Sequence, residues 1–509
     1  MQEVKLLNIM NFLKKNWLMI LIAIQPLLDI ASFFQLKYLD NSYTWIIRII
    51  MLFFLCLICF IKTDKKKKYL FSFVPIGLFY ILHLCNLYRI DRLSLILDTK
   101  YFIQTFQCPI LFITFIFLIK YENNNLKCLK NGVLLAYMFI IISVILSLLT
   151  NSYDSTYEGY GITGWFSSAN TQSMILSAIC PLVMLFVFEK KKIFLNIFVV
   201  LVSYLLLFLN GTRACYYTLI ATLAIFSVMS LLNIRKNTVN KYNFVTCTVF
   251  LLGSILFYND SYTILRRNTI NNTSQNYEDQ INLIEKSFDE KKNEIIKKSE
   301  KNNIIDDQKS EKNNFIDDQK NAEILKEEKN KKMEILKTSY IFRDLMKLHG
   351  EKYVYEEMEN KIDSKALGDT RLMKRVNARI EIKKAGLSSK VLGIGYSTIQ
   401  KNQLDLENDL SAIYYYYGII GFVEYISYFI YLLIKAFIEF LKYPKKIFDS
   451  EYMVLIFLIF LLLFGGEYSG ALLRKTNANI YLSIIMTLLY FNCLTLKKEE
   501  AKNEKNNHN

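Results

Sequence analysis

Apolar runs long enough to cross roughly 30 Å of hydrocarbon recur along most of this chain, separated by short polar connections rich in lysine. The runs cover Trp17–Phe34, Thr44–Ile61, Tyr69–Tyr88, Phe102–Leu118, Gly132–Leu149, Ser173–Phe188, Ile193–Leu209, Tyr216–Leu232 and Phe244–Tyr258. A long polar interval follows, then Tyr416–Phe437, Met453–Leu472 and Ile480–Leu496. They are uniformly apolar rather than alternating, so each satisfies its backbone as a helix. The pattern predicts an all-α fold: a polytopic transmembrane helical bundle of about twelve spans with one large extracytoplasmic loop. Residues 1–258 carry nine spans, 259–412 the large loop, 413–497 three more spans and 498–509 a tail.

Composition agrees, with 53% hydrophobic and 15% aromatic residues and five prolines among 509. That is far more apolar surface than one soluble core can hide. The connections holding Lys14-Lys15, Lys65 to Lys68, Lys127, Lys190 to Lys192, Arg235-Lys236, Lys445-Lys446 and Lys497-Lys498 carry roughly two dozen basic residues, against about seven in the opposite short loops. This asymmetry puts both termini of a multi-pass membrane protein in the cytoplasm. It also absorbs much of the net charge of +16, so no nucleic-acid partner is expected. Lys14-Lys15 before an apolar run looks like a signal peptide, yet no small-residue cleavage site follows, and an uncleaved first span is expected. The three tryptophans and Tyr414 to Tyr417 fall near span ends, where amphipathic rings prefer the interface.

The nine cysteines lie almost wholly in or beside spans, and none falls in the long outer loop. Neither a disulfide framework nor a metal site is expected, since Cys56 and Cys59 have no histidine partners. No cofactor is expected.

The polar interval has two parts. Residues 271–364 are dominated by Lys, Glu, Asn and Asp, and read as a poorly ordered, solvated insert. An eleven-residue repeat, Glu300 to Lys309 and Glu311 to Lys320, keeps an apolar pair on one helical face. In 369–410, Asp369 or Thr370 can cap a helix on which Arg371, Arg375, Arg379 and Lys383 recur every fourth residue. Such a stripe is either a face paired with carboxylates or a seat for a diphosphate. Gly393-Ile394-Gly395 is expected to end that helix. Asp405, Glu407 and Asp409 then bring carboxylates to the outer membrane surface, where they either take a proton from a sugar hydroxyl or balance arginines. Arg213, in Asn210-Gly211-Thr212-Arg213-Ala214, is a permanent charge between two spans and points to an anionic lipid ligand. Gly418-Ile419-Ile420-Gly421 allows close helix approach, and Glu467 is a spare candidate.

Four elements, in order, resemble the O-antigen ligase and polysaccharide polymerase superfamily of polytopic bacterial membrane proteins. They are Gly164 through Asn170, with Ala169 where proline is common; Asn210 through Ala214; Arg379 through Gly395; and Glu407-Asn408-Asp409 through Gly421. The resemblance implies a metal-independent, inverting glycosyltransferase. Its partners would be an undecaprenyl-diphosphate-linked glycan, an acceptor glycan or lipid, and membrane lipids. It implies Arg213 and Arg379 as diphosphate ligands, with Arg371 and Arg375 in reserve. Ligases of the family commonly carry histidine where this chain has Glu407-Asn408-Asp409, so Glu407 or Asp409 is the base to expect. A lipid-linked glycan flippase and a noncatalytic assembly subunit are the competing classes; a flippase would place charges at mid-bilayer on broken helices.

Overall fold

A computed structural model describes residues 15–507 apart from 123, 158, 306–309 and 401–403. The chain is almost wholly helical and divides into two compact units: residues 1–266, 388–398 and 407–509, and residues 267–387 and 399–406.

In the first unit, eleven of the described helices are long and apolar enough to cross a membrane: Lys15–Leu39, Thr44–Lys62, Lys66–Arg89, Leu95–Tyr121, Asn124–Leu149, Ala169–Phe188, Arg213–Leu232, Thr238–Leu256, Asp409–Lys442, Ser450–Ser469 and Thr476–Leu494. Ile193–Leu209 is shorter. It still runs the height of the bundle, because its start follows Glu189 at one end of Ala169–Phe188 while Asn210, just past its last residue, donates to Gln172 Oε1 (3.1 Å) at the other. At 1.5 Å per residue it is about 25 Å long, and needs little tilt or local thinning to cross.

Burial sorts the helices. Ala169–Phe188 is 94% buried over its apolar window and Leu95–Tyr121 83%, whereas Thr238–Leu256 is 22% buried. The first two form the axis and carry the polar side chains that membrane interiors admit only where protein surrounds them; the last presents its apolar surface outward. At the lysine-rich end, Lys130 bridges Glu189 (3.2 Å) and Glu451 (2.8 Å). Burial raises the Glu189 carboxyl above its usual range, against the opposing pull of Lys130.

Helix Asp409–Lys442 is broken at Gly418 (φ 70°, ψ −172°). A break frees backbone carbonyls that hydrocarbon cannot satisfy, and the Gly393-Ile394-Gly395 segment supplies the missing donors. Ile394 N–H donates to Tyr415 O (3.2 Å) and Gly395 N–H to Tyr416 O (3.1 Å). Gly393 and Gly418 are both at positive φ, and a Cβ on either would run into the other strand's backbone. The segment is held from behind by Asn86, which donates to Gly393 O (2.9 Å), and by Asp98, which accepts from Ser397 N (3.0 Å) and Ser397 Oγ (2.8 Å).

Three expectations are corrected here. The arginine-bearing helix ends at Gly386 (φ 84°), before the G-x-G segment. Gly418 serves a backbone break in addition to its close approach to residues 391–393, a role beyond the helix packing expected of it, while Gly421 approaches Phe79. Tyr416 and Tyr417 are each 1% exposed and fill the bundle interior, because the break turns them inward rather than toward an interface.

The second unit has its own core. Helices Tyr340–His349, Glu351–Met358, Ser364–Leu367 and Thr370–Ala385 enclose Leu336, Phe342, Leu345, Val354, Met358, Leu367, Val376 and Ile380. The latter part of the charged insert therefore buries apolar surface. Its charged neighbours masked apolar positions at helical spacing, as at Ile341, Phe342, Leu345 and Met346, and average composition hid them. Helices Tyr262–Ile305 and Ser310–Thr338 come before these in the chain, the latter supplying Leu336; residues 306–309, in the first copy of the eleven-residue repeat, lie outside the described residues.

Candidate functional site

Within the first unit, the helix ends opposite the lysine-rich loops gather the charged and polar side chains. Arg213 opens helix Arg213–Leu232, whose cap is Thr212 accepting from Cys215 N (3.2 Å). A helix start carries partial positive charge, so a guanidinium there is misplaced unless an anion joins it. Arg213 Nη1 donates to Tyr468 Oη (3.3 Å), and among the described residues it has no carboxylate within ion-pair distance. It is half-buried.

Its loop is fixed by hydrogen bonds rather than packing alone. Thr212 Oγ1 donates to Asn210 Oδ1 (2.8 Å), Asn210 Nδ2 to Gln172 Oε1 (3.1 Å), and Gln172 Nε2 to Thr163 O (2.6 Å). The relay thus ties the 210–214 element to Thr163 and Gln172, which flank the 164–170 element. A two-stranded hairpin, β1 (Asp154–Tyr157) with β2 (Tyr160–Gly164), carries Thr163, and Gly161 lies against the Asn210 carbonyl where a side chain would clash.

Beside Tyr468, Glu467 accepts from Ser411 N (3.1 Å) and Ser411 Oγ (2.7 Å), while its carbonyl accepts from Asn408 Nδ2 (2.6 Å). It satisfies the first turn of helix Asp409–Lys442 from outside, so the spare candidate has a structural task. Asp409 is fully buried. Its Oδ2 accepts from Leu472 N and Leu473 N (2.7 Å each) and its Oδ1 from Arg474 Nε (3.1 Å). Glu407, two residues earlier, is half-buried, and Gly470 lies against its carbonyl.

Arg474 leads to a cavity of about 280 Å³, which the sequence alone did not reveal. It is lined by Asp29, Arg48, Lys100, Arg474 and Lys475, by Trp45, Tyr101 and Phe166, and by hydroxyls and amides including Gln104, Gln172 and Asn477. Arg48 pairs with Asp29 (2.8 Å), which also accepts from Asn477 Nδ2 (2.7 Å). Both arginines are almost fully buried, and Lys100 lies 4.2 Å over the Trp45 ring. Arg48 and Arg474 fall inside or just before apolar runs and read there as isolated charges. A buried cation within a span was the signal available.

The remaining sequence candidates, Arg371, Arg375 and Arg379, lie on helix Thr370–Ala385 in the second unit. Asp369 caps that helix by accepting from Arg371 N (2.9 Å) and Leu372 N (3.1 Å). Arg379 approaches Glu357 (3.8 Å), which also pairs with Lys383. Those two members of the stripe thus have the carboxylate partner that like-charge repulsion demands.

A family described as O-antigen ligase like membrane protein matches residues 11–496, nearly the whole chain. The chain belongs to this O-antigen ligase like family. Membership makes it a multi-pass membrane protein of a glycosyl-transferring family and points to lipid-linked glycan in polysaccharide synthesis. No curated protein and no solved structure matches it. For an O-antigen ligase like protein, Arg213 reaches Tyr468, and the neighbouring Glu467 accepts from Asn408 and Ser411, so two of the four sequence elements that prompted the resemblance are linked through this helix end.

Proposed function

We propose that the protein transfers or polymerises undecaprenyl-diphosphate-linked glycan at the outer face of the bacterial cytoplasmic membrane, both termini being cytoplasmic. The carrying observation is Arg213: a guanidinium at a helix start, with no carboxylate partner among the described residues, held by the Thr212–Asn210–Gln172 relay. A diphosphate would neutralise both the side chain and the helix terminus.

In this reading, an acceptor hydroxyl attacks the anomeric carbon as the bond from that carbon to the phosphate oxygen breaks. The configuration inverts, and charge grows on the departing diphosphate, where Arg213 stabilises it. The hydroxyl proton passes to a carboxylate, and no metal is required. Glu407 is the proposed base. Asp409, whose two oxygens already accept three hydrogen bonds, is proposed to position Arg474 instead. Arg379, Arg375 and Arg371 remain further candidate ligands, each tested by its own substitution.

Arg213→Ala should lower transfer of purified lipid-linked repeat units by about 100-fold or more, since one charge-stabilising donor commonly contributes that much. In cells, surface glycan chain length should collapse while lipid-linked precursor still reaches the outer leaflet. Loss of precursor export instead would favour a flippase and end the proposal.

A further inference from the structure

Two arginines of the first unit are closed off by carboxylates: Arg48 by Asp29 (2.8 Å) and Arg474 by Asp409 (3.1 Å), both pairs buried. Such a guanidinium is a support, because a fixed partner already neutralises it. Arg213 is held differently. Its Nη1 donates to Tyr468 Oη (3.3 Å), and among the described residues no carboxylate lies within ion-pair distance of it. A phenol hydroxyl orients a guanidinium without cancelling its charge, so the cation stays available to an anionic ligand.

The neighbouring acid is directed elsewhere. Glu467 precedes Tyr468 in the chain, yet Ser411 engages both of its carboxylate oxygens, through N–H (3.1 Å) and Oγ–H (2.7 Å), at the start of helix Asp409–Lys442. With 3.6 residues per turn, consecutive side chains leave a helix about 100° apart. Glu467 thus faces the start of one helix, and Tyr468 faces the start of another.

Tyr468 is itself braced. Its ring meets Tyr217 edge-on, with centroids 6.4 Å apart, and lies nearly parallel to Phe464 at the same distance. Tyr217 stands one turn beyond Arg213 on helix Arg213–Leu232, and Phe464 one turn before Tyr468 on helix Ser450–Ser469. Ring pairs at this separation are favourable contacts. The hydroxyl offered to Arg213 is therefore placed by two packed helices.

We propose that Tyr468 is a positioning residue for glycan transfer: its hydroxyl aims the Arg213 guanidinium at the departing diphosphate while leaving the positive charge uncancelled, and Tyr217 and Phe464 hold the ring. This rests on the proposed glycan-transfer function and deepens it by assigning the group that sets the geometry of Arg213.

The test is a double-mutant cycle on kcat and KM for purified lipid-linked repeat units, with the full-length protein in nanodiscs. Tyr468→Phe keeps the ring contacts and removes the acceptor. It should lower kcat about ten-fold, since misplacing a group that acts on the transition state commonly costs that much or more, with thermal unfolding unchanged. In the Arg213→Ala background the same substitution should have no further effect, because a hydroxyl that acts through Arg213 then has nothing to orient. Tyr468→Glu should instead raise KM for the lipid donor about five-fold or more, an ion pair with Arg213 then competing with the diphosphate. Equal losses from Tyr468→Phe in the two backgrounds, the mark of a merely structural tyrosine, would overturn the proposal. So would wild-type kcat in Tyr468→Phe, or an unchanged KM in Tyr468→Glu. If Tyr468→Phe lowers the unfolding midpoint, the cycle still decides, because a folding defect depresses both backgrounds alike. Transfer undiminished by Arg213→Ala would end the proposed function together with this inference, whereas Arg213-dependent transfer indifferent to Tyr468→Phe would end this inference alone.

Discussion

At the residue scale, Asp409 shows how position changes the meaning of a carboxylate. By type and context it is a candidate base; two backbone hydrogen bonds and a hydrogen-bonded ion pair with Arg474 engage both its oxygens, as in a fixed counter-charge. Removing one member of a buried pair costs about 3–5 kcal/mol, because the other is left uncompensated, whereas replacing both by apolar residues of similar volume is often close to neutral. Asp409→Ala should therefore lower thermal stability in detergent by that order. Pairing it with Arg474→Met should recover much of the loss, a comparison made by unfolding curves of the two variants. If the single variant kept full stability while losing all transfer, Asp409 would be the reacting group rather than a support. Glu407 carries the complementary expectation, loss of turnover with the fold retained.

At the scale of the element, the broken helix Asp409–Lys442 and the G-x-G segment are one device. Neither is intelligible alone: Gly418 opens the helix, and Ile394 and Gly395 donate to the carbonyls so released. The φ and ψ of Gly418 fall in a region essentially closed to other residues, which by itself costs about 1–3 kcal/mol when violated. A side chain there also meets Val391. Gly418→Ala should destabilise the protein by at least that amount, seen as a lowered unfolding midpoint. Ile419→Ala, one residue on and facing outward at 47% exposure, should cost far less. The two glycine motifs were readable as motifs; that they pair was not, because their contact joins segments some twenty residues apart through backbone groups that every residue possesses.

At the scale of the whole molecule, topology follows from which ends of the helices carry lysine. With Ile193–Leu209 counted as a crossing, all the connections that build the Arg213 cluster and the lysine-lined cavity lie at the end opposite Lys65 to Lys68 and Lys190 to Lys192. Single cysteines placed at the exposed positions Lys66 and Lys191, with the exposed native Cys85 replaced by Ser, should be shielded from an impermeant maleimide added to intact cells. A cysteine at the exposed Asn41 should be labelled. The reverse pattern would invert the orientation and remove the site from the outer face.

Apolar periodicity and length determined the spans, since a bilayer demands backbone satisfaction within each segment and leaves few alternatives. Lysine placement set the expected orientation, and local cues identified the Asp369 cap and the isolated Arg213. Tertiary structure decided the rest. It paired Asp29 with Arg48 and Asp409 with Arg474, contacts between residues 19 and 65 positions apart. It also built a core from the latter part of a charged insert and placed residues 388–398 with the membrane helices while leaving the arginine stripe in the other unit. Charge neutralisation and core formation depend on which side chains share a low-dielectric space, and linear order does not contain that information.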